Sequence, residues 1–199
     1  MKRLFRFAAL LVALTFQCMH SPTHVVNGKG PQRATRTVYV DSSFRDEELK
    51  IVTESADEWN DRTKGIAHVD VVRLPLPPKV SPKFSNTTDD VFLEKQESTS
   101  SEVFFLDHTT QSILFGLYRV ESGFSKIILI TDRFTSSEEY RTVVTHELGH
   151  SLGLSHNNVK RTVMYKDHGQ VGNHIAREDL EQFCEIYSCD VEELMQSKK

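Results

Sequence analysis

The sequence predicts an α+β domain organised on a mixed β-sheet, and two observations point there. A strand, a helix and a second strand follow one another between residues 37 and 73, an order that favours a parallel pair. Two further strands near residues 114–120 and 127–131 are separated by the turn Glu121-Ser122-Gly123, which favours an antiparallel pair. With 199 residues, 38% of them hydrophobic and 26% charged, the chain is long enough for one domain with its own core. Its 24 basic and 28 acidic residues leave a net charge of −4, so it has no cationic footprint for nucleic acid.

At the N-terminus Met1-Lys2-Arg3 and Arg6 precede an uncharged apolar run from Phe7 to Phe16. A basic start and about ten apolar residues fit an export signal and fall short of the roughly 20 needed to cross a bilayer. Residues 1–18 are therefore expected to be that signal. Cys18 follows the run directly, where a bacterial lipoprotein carries its lipidated cysteine, so it is a candidate lipidation site. The alternative is that it ends a discarded peptide. Residues 19–35 are polar and turn-rich and read as a linker.

Thr37-Val38-Tyr39-Val40 then reads as a strand, and Ser43 with Asp46 resembles a capping box. Leu49, Val52, Ala56 and Trp59 recur at helical spacing and predict an amphipathic helix over 46–62, after which Gly65 leads into a β-rich stretch from Ala67 to Arg73. Residues 74–101 hold four of the six prolines in a Ser/Thr/Asp-rich context and read as a long surface loop. Strands are expected at Val103 to Leu106, Leu114 to Val120 and Ile127 to Thr131. Ser136 is placed to cap a helix, with Glu139 reaching back and Tyr140, Val143, Val144 and Leu148 on its buried side. Near the C-terminus Cys184 and Cys189 lie five apart, a spacing open to a disulfide in an oxidising compartment or to Cys184 as a small buried hydrophobe.

The Ser136 helix carries His146-Glu147-Leu148-Gly149-His150. Positions i and i+4 lie about 40° apart around a helix, so both imidazoles can meet one cation. Gly153 can adopt a left-handed conformation that ends the helix and swings His156 round as a third ligand. Three neutral imidazoles with one open position suit a catalytic zinc, whereas a structural zinc is closed by four protein ligands and calcium prefers oxygen. Such an ion acidifies water from about 15.7 toward about 7, and Glu147 can take the proton.

Thr145 to His156 resembles the metzincin clan of zinc proteases, and within it the matrixin (matrix metalloprotease) family most closely. The resemblance implies a methionine turn beneath the metal. Val163-Met164-Tyr165 follows His156 at the matrixin spacing, with Met164 as a packing floor and not a ligand. Similarity extends from about Thr37 to Tyr187, and Ile175 to Tyr187 looks like the family's last helix, with Leu180, Phe183, Cys184 and Tyr187 as its apolar stripe. The implied fold is metzincin-like α+β: a twisted mixed sheet of about five strands with an antiparallel edge strand, an active-site helix and a small C-terminal subdomain ending in a helix. Residues 36–190 would form this domain and 191–199 a polar tail. Asp179 aligns with an aspartate that supports the methionine turn; the alternative is an exposed first-turn acid favoured by the helix dipole.

Several features depart from the family. The chain has no Pro-Arg-Cys-Gly segment, and Lys166 replaces a proline. Asp107 to Ile113 is too short for the loop that holds a second zinc and calcium, so one zinc and no calcium are expected. The specificity wall is not recognisable in Asp167 to Asn173, and His68, His108, His168 and His174 read as surface or core residues. The expected function is an exported, monomeric zinc endopeptidase that binds protein or peptide as an extended strand along Leu114 to Val120. It would contact the membrane only through a lipid anchor. The alternative is a surface-anchored zinc-containing binding protein without turnover.

Overall fold

The computed structural model describes residues 32–75, 89–100, 115–121, 124–166 and 174–196. The expected signal with Cys18, most of the linker, the strand at Val103 to Leu106, Asp107-His108, Ser122-Gly123, and the segment from Asp167 to Asn173 with His168 lie outside the described residues.

Five strands, β1 (Ala34–Val40), β2 (Ala67–Arg73), β3 (Asp90–Gln96), β4 (Gly116–Glu121) and β5 (Phe124–Ile130), form one sheet in the order β2-β1-β3-β5-β4. The β1–β2, β1–β3 and β3–β5 pairs are parallel, and β4 runs antiparallel to β5 at the edge. The helices are α1 (Asp46–Arg62), α2 (Ser137–Ser151), α3 (Arg177–Tyr187) and α4 (Val191–Met195). The fold is the expected metzincin-like α+β arrangement. No helix among the described residues is long and apolar enough to cross a membrane.

One face of the sheet makes the core. Register aligns Val38 with Val91, Val40 with Leu93, and Leu93 with Ile127, and all five belong with Leu129 to a single buried cluster. Val52, Ala56 and Trp59 of α1 and Val143, Val144 and Leu148 of α2 close over that face. The two helices are joined at Trp59, whose indole N–H donates to Thr145 O at 2.9 Å.

The structure corrects several expectations. β3 is an inner strand inside the stretch read as surface loop. Only Val91 and Leu93 of it enter the core, and the charges beyond them are paired: Glu94 with Lys126 of β5 at 3.3 Å, Lys95 with Glu48 of α1 at 2.9 Å. The cap of α1 is Arg45, not Ser43, with Glu48 accepting from Arg45 N at 2.7 Å; Ser43 N instead donates to Asp41 Oδ1. On α2, Ser136 Oγ accepts from Glu139 N as expected, but the Glu139 carboxylate reaches past it to Thr135 N and Oγ1.

The folded unit also overruns the expected boundaries. Buried Ala34 already belongs to β1, and α4 places Leu194 in the core within the expected polar tail, with Asp190 capping the helix at Glu192 N. Cys184 and Cys189 are joined as a disulfide, Cα atoms 4.5 Å apart, around the left-handed Ser188 that ends α3.

Candidate active site

Ten of the fifteen residues of α2 are buried, among them His146 and Glu147. The helix stops at Leu152, and Gly153 follows at φ +91°, with its N–H donating to His150 O. A side chain at that φ would strain the backbone, and the turn it permits brings His156 back over the helix.

The three imidazoles converge. His156 Nε2 lies 3.1 Å from His146 Nε2 and 3.1 Å from His150 Nε2. On the far sides of two rings, His146 Nδ1 is 2.6 Å from Val163 O and His150 Nδ1 is 2.8 Å from Leu154 O. A carbonyl can only accept, so both Nδ1 atoms carry the proton and both Nε2 atoms present lone pairs to the centre. Both lone pairs face His156 Nε2 at 3.1 Å, so the three rings offer one cation a common point of attachment. Ligand nitrogens about 2.0–2.1 Å from a tetrahedral zinc stand roughly 3.3–3.4 Å apart, close to the spacing here, so this donor set fits zinc.

Glu147 lies against the edge strand. Gly116 and Tyr118 share a face with Leu129 and Ile127 of β5 and so look toward α2. A Cβ at Gly116 would stand 2.6 Å from Glu147 Oε1 and 2.8 Å from Val143 Cγ1, so this position admits only glycine beside the carboxylate. The Tyr118 backbone N–H donates to the carboxylate, while its buried Oε2 has no hydrogen-bond partner among the described residues. Burial pushes the Glu147 carboxyl up to about 8, against the opposing pull of that N–H.

The methionine turn lies beneath. Met164 is fully buried and Asn157 N donates to its carbonyl at 2.8 Å. Asp179, also fully buried, accepts from Val163 N, Met164 N, Ala176 N and Asn157 Nδ2 at 2.9–3.2 Å. It therefore supports the turn and is not an exposed first-turn acid. Burial raises its pKa, and these four donors pull against that rise. His68 and His174 lie outside this cluster, exposed and beside Asp70 and Glu58.

Sequence reasoning missed Gly116, Tyr118, Gly149 and Asn157. A Cβ at Gly149 would overlap Met164 Sδ and stand 3.0 Å from Trp59 Cζ2. Gly149→Ala would ordinarily stabilise a helix by about 1 kcal/mol, but here overpacking reverses the sign. Thermal unfolding is expected to show a loss of about 1–3 kcal/mol. A raised melting temperature would contradict the packing of Met164 under the helix.

Fold and site together define a zinc metalloprotease of the metzincin type. The sequence profile of one family, Matrixin, matches residues 44–188, and the chain belongs to the matrixin family. No curated protein matches the sequence. Among solved structures it is similar to archaemetzincin from Methanopyrus kandleri (16% identity, TM-score 0.49, covering 81% of this chain and 98% of that one). It is also similar to a zinc-dependent peptidase from Methanocorpusculum labreanum (12%, 0.45, covering 74% and 98%). A third similar structure is metalloproteinase-II from Bacteroides fragilis (8%, 0.45, covering 81% of this chain and 56% of that one).

Proposed function

We propose that the protein is an exported zinc endopeptidase holding a single catalytic ion on His146, His150 and His156, with Glu147 as general base and acid. The observation that carries this reading is the convergence of three imidazole nitrogens beside the helix position of Glu147, whose buried Oε2 has no hydrogen-bond partner among the described residues. Zinc held there supplies Lewis acidity toward a water and a carbonyl oxygen. Glu147 takes the proton of the attacking water and returns it to the leaving amine.

The substrate is a protein or peptide laid along β4, which among the described residues has a sheet neighbour on one side only. Main-chain groups on the other side can add an extended strand. A peptide bound this way would extend past the metal in both directions and be cut internally. The basic start, the apolar run to Phe16 and the Cys184–Cys189 disulfide support an address outside the cytoplasm. Attachment to the envelope would run through lipid on Cys18. The chain acts as a monomer.

The test is incubation of the purified chain with casein, with and without a chelator, followed by mass spectrometry of the products. Internal cleavage that the chelator removes and zinc restores is expected. Zinc bound without any turnover would favour a binding protein, and trimming confined to peptide ends would refute the endopeptidase reading.

A further inference from the structure

Tyr118, in the middle of the edge strand, meets the site in three ways. Its backbone N–H donates to the Glu147 carboxylate. Its ring lies alongside the His150 imidazole, with centroids 6.3 Å apart and planes inclined by 25°. Its hydroxyl shares a 2.9 Å hydrogen bond with Oγ of buried Ser125 on β5, which fixes the far end of the ring.

His150 Nδ1 donates to Leu154 O, and the His146 and His156 rings meet the imidazole at steep angles, 88° and 67°, with centroids 4.6 and 4.7 Å away. The Tyr118 ring lies nearly parallel to the imidazole instead and backs its face, which restricts rotation of the ligand plane. We propose that Tyr118 is a positioning residue that holds the His150 plane so that Nε2 faces the metal, while its main chain orients Glu147. The strand offered to a peptide thus aligns a metal ligand and the base together. The inference rests on the zinc and Glu147 reading above.

The test compares full-length wild type, Tyr118→Ala, Tyr118→Phe, Tyr118→Leu and Glu147→Gln. Zinc affinity is measured by competition with a chromophoric chelator, and the visible absorption of the cobalt-substituted protein is recorded. Tyr118→Ala is expected to weaken zinc binding about ten-fold and to shift the cobalt bands. Tyr118→Phe keeps the ring and should stay within about two-fold of wild type in the same assay. Tyr118→Leu fills the volume without a flat ring, guards against simple unfolding of the alanine variant, and should behave as alanine does. Wild-type affinity and spectrum in the alanine or leucine variant would overturn the proposal. So would a phenylalanine variant as weak as alanine, since the hydroxyl would then matter and not the ring. Glu147→Gln separates the two readings. Retained cleavage in that variant would sink the role given to Glu147, while its zinc affinity reports on the metal site alone.

Discussion

Glu147→Gln is expected to lower kcat/KM for casein-derived peptides by about 10³-fold, within the usual range for removing a general base and equivalent to roughly 4 kcal/mol of barrier. The substitution is nearly isosteric, so the side chain still fits the space that Gly116 leaves open, where even a Cβ would come within 2.6 Å of Oε1. Its amide oxygen can still accept from the Tyr118 N–H, so local structure is conserved. What disappears is an oxygen able to accept a proton at the position where Oε2 has no partner among the described residues. Because the three imidazoles are untouched, zinc content should stay at about one ion per chain. Steady-state kinetics beside metal analysis give the result. Undiminished cleavage would assign the proton transfer elsewhere, and lost zinc would make the carboxylate a structural element.

Asp179→Ala is expected to cost about 3 kcal/mol or more, because four donors lose their acceptor inside the protein and each unsatisfied buried group costs about 1–3 kcal/mol. Those donors belong to three different pieces of chain: Val163 and Met164 of the methionine turn, Ala176 at the start of α3, and Asn157 next to the third ligand. Asn157 is itself a hub, accepting from Val159 N and Thr162 Oγ1 on its side-chain oxygen while its N–H donates to Met164 O. Loss of the carboxylate should therefore loosen His156 along with the turn and weaken zinc binding as well as folding. Asp179→Asn keeps one acceptor oxygen and should fall between alanine and wild type. Denaturant unfolding of the metal-free chain measures the effect. A destabilisation of the alanine variant below about 1 kcal/mol would contradict the support role.

The grouping of the three histidines with Glu147 was legible because its geometry is local: helical periodicity aligns residues 146 and 150, and a glycine at 153 allows the return that delivers 156. β1, β2 and α1 were legible for the same reason, with apolar residues at the periods those elements require. β3 was hidden because half of the strand is charged, and its charges are neutralised by partners such as Glu48 and Lys126 that lie far away in sequence. Gly116 and Tyr118 could not be assigned because β4 touches α2 only once the sheet has assembled, an encounter that no local pattern encodes. Asp179 was reachable through family resemblance alone, since its role depends on a turn about fifteen residues earlier in the chain. Gly149 falls at an open position of the His146–His156 pattern, and its need for glycine shows only once Met164 and Trp59 pack against it.

Zinc K-edge X-ray absorption on the purified protein, with wild type and His156→Ala compared, tests the metal centre most directly. Wild type should show three imidazole nitrogens at about 2.0–2.1 Å and one oxygen that a hydroxamate displaces, and the variant should lose an imidazole. A closed shell of four protein ligands, or an unchanged spectrum in the variant, would contradict the account.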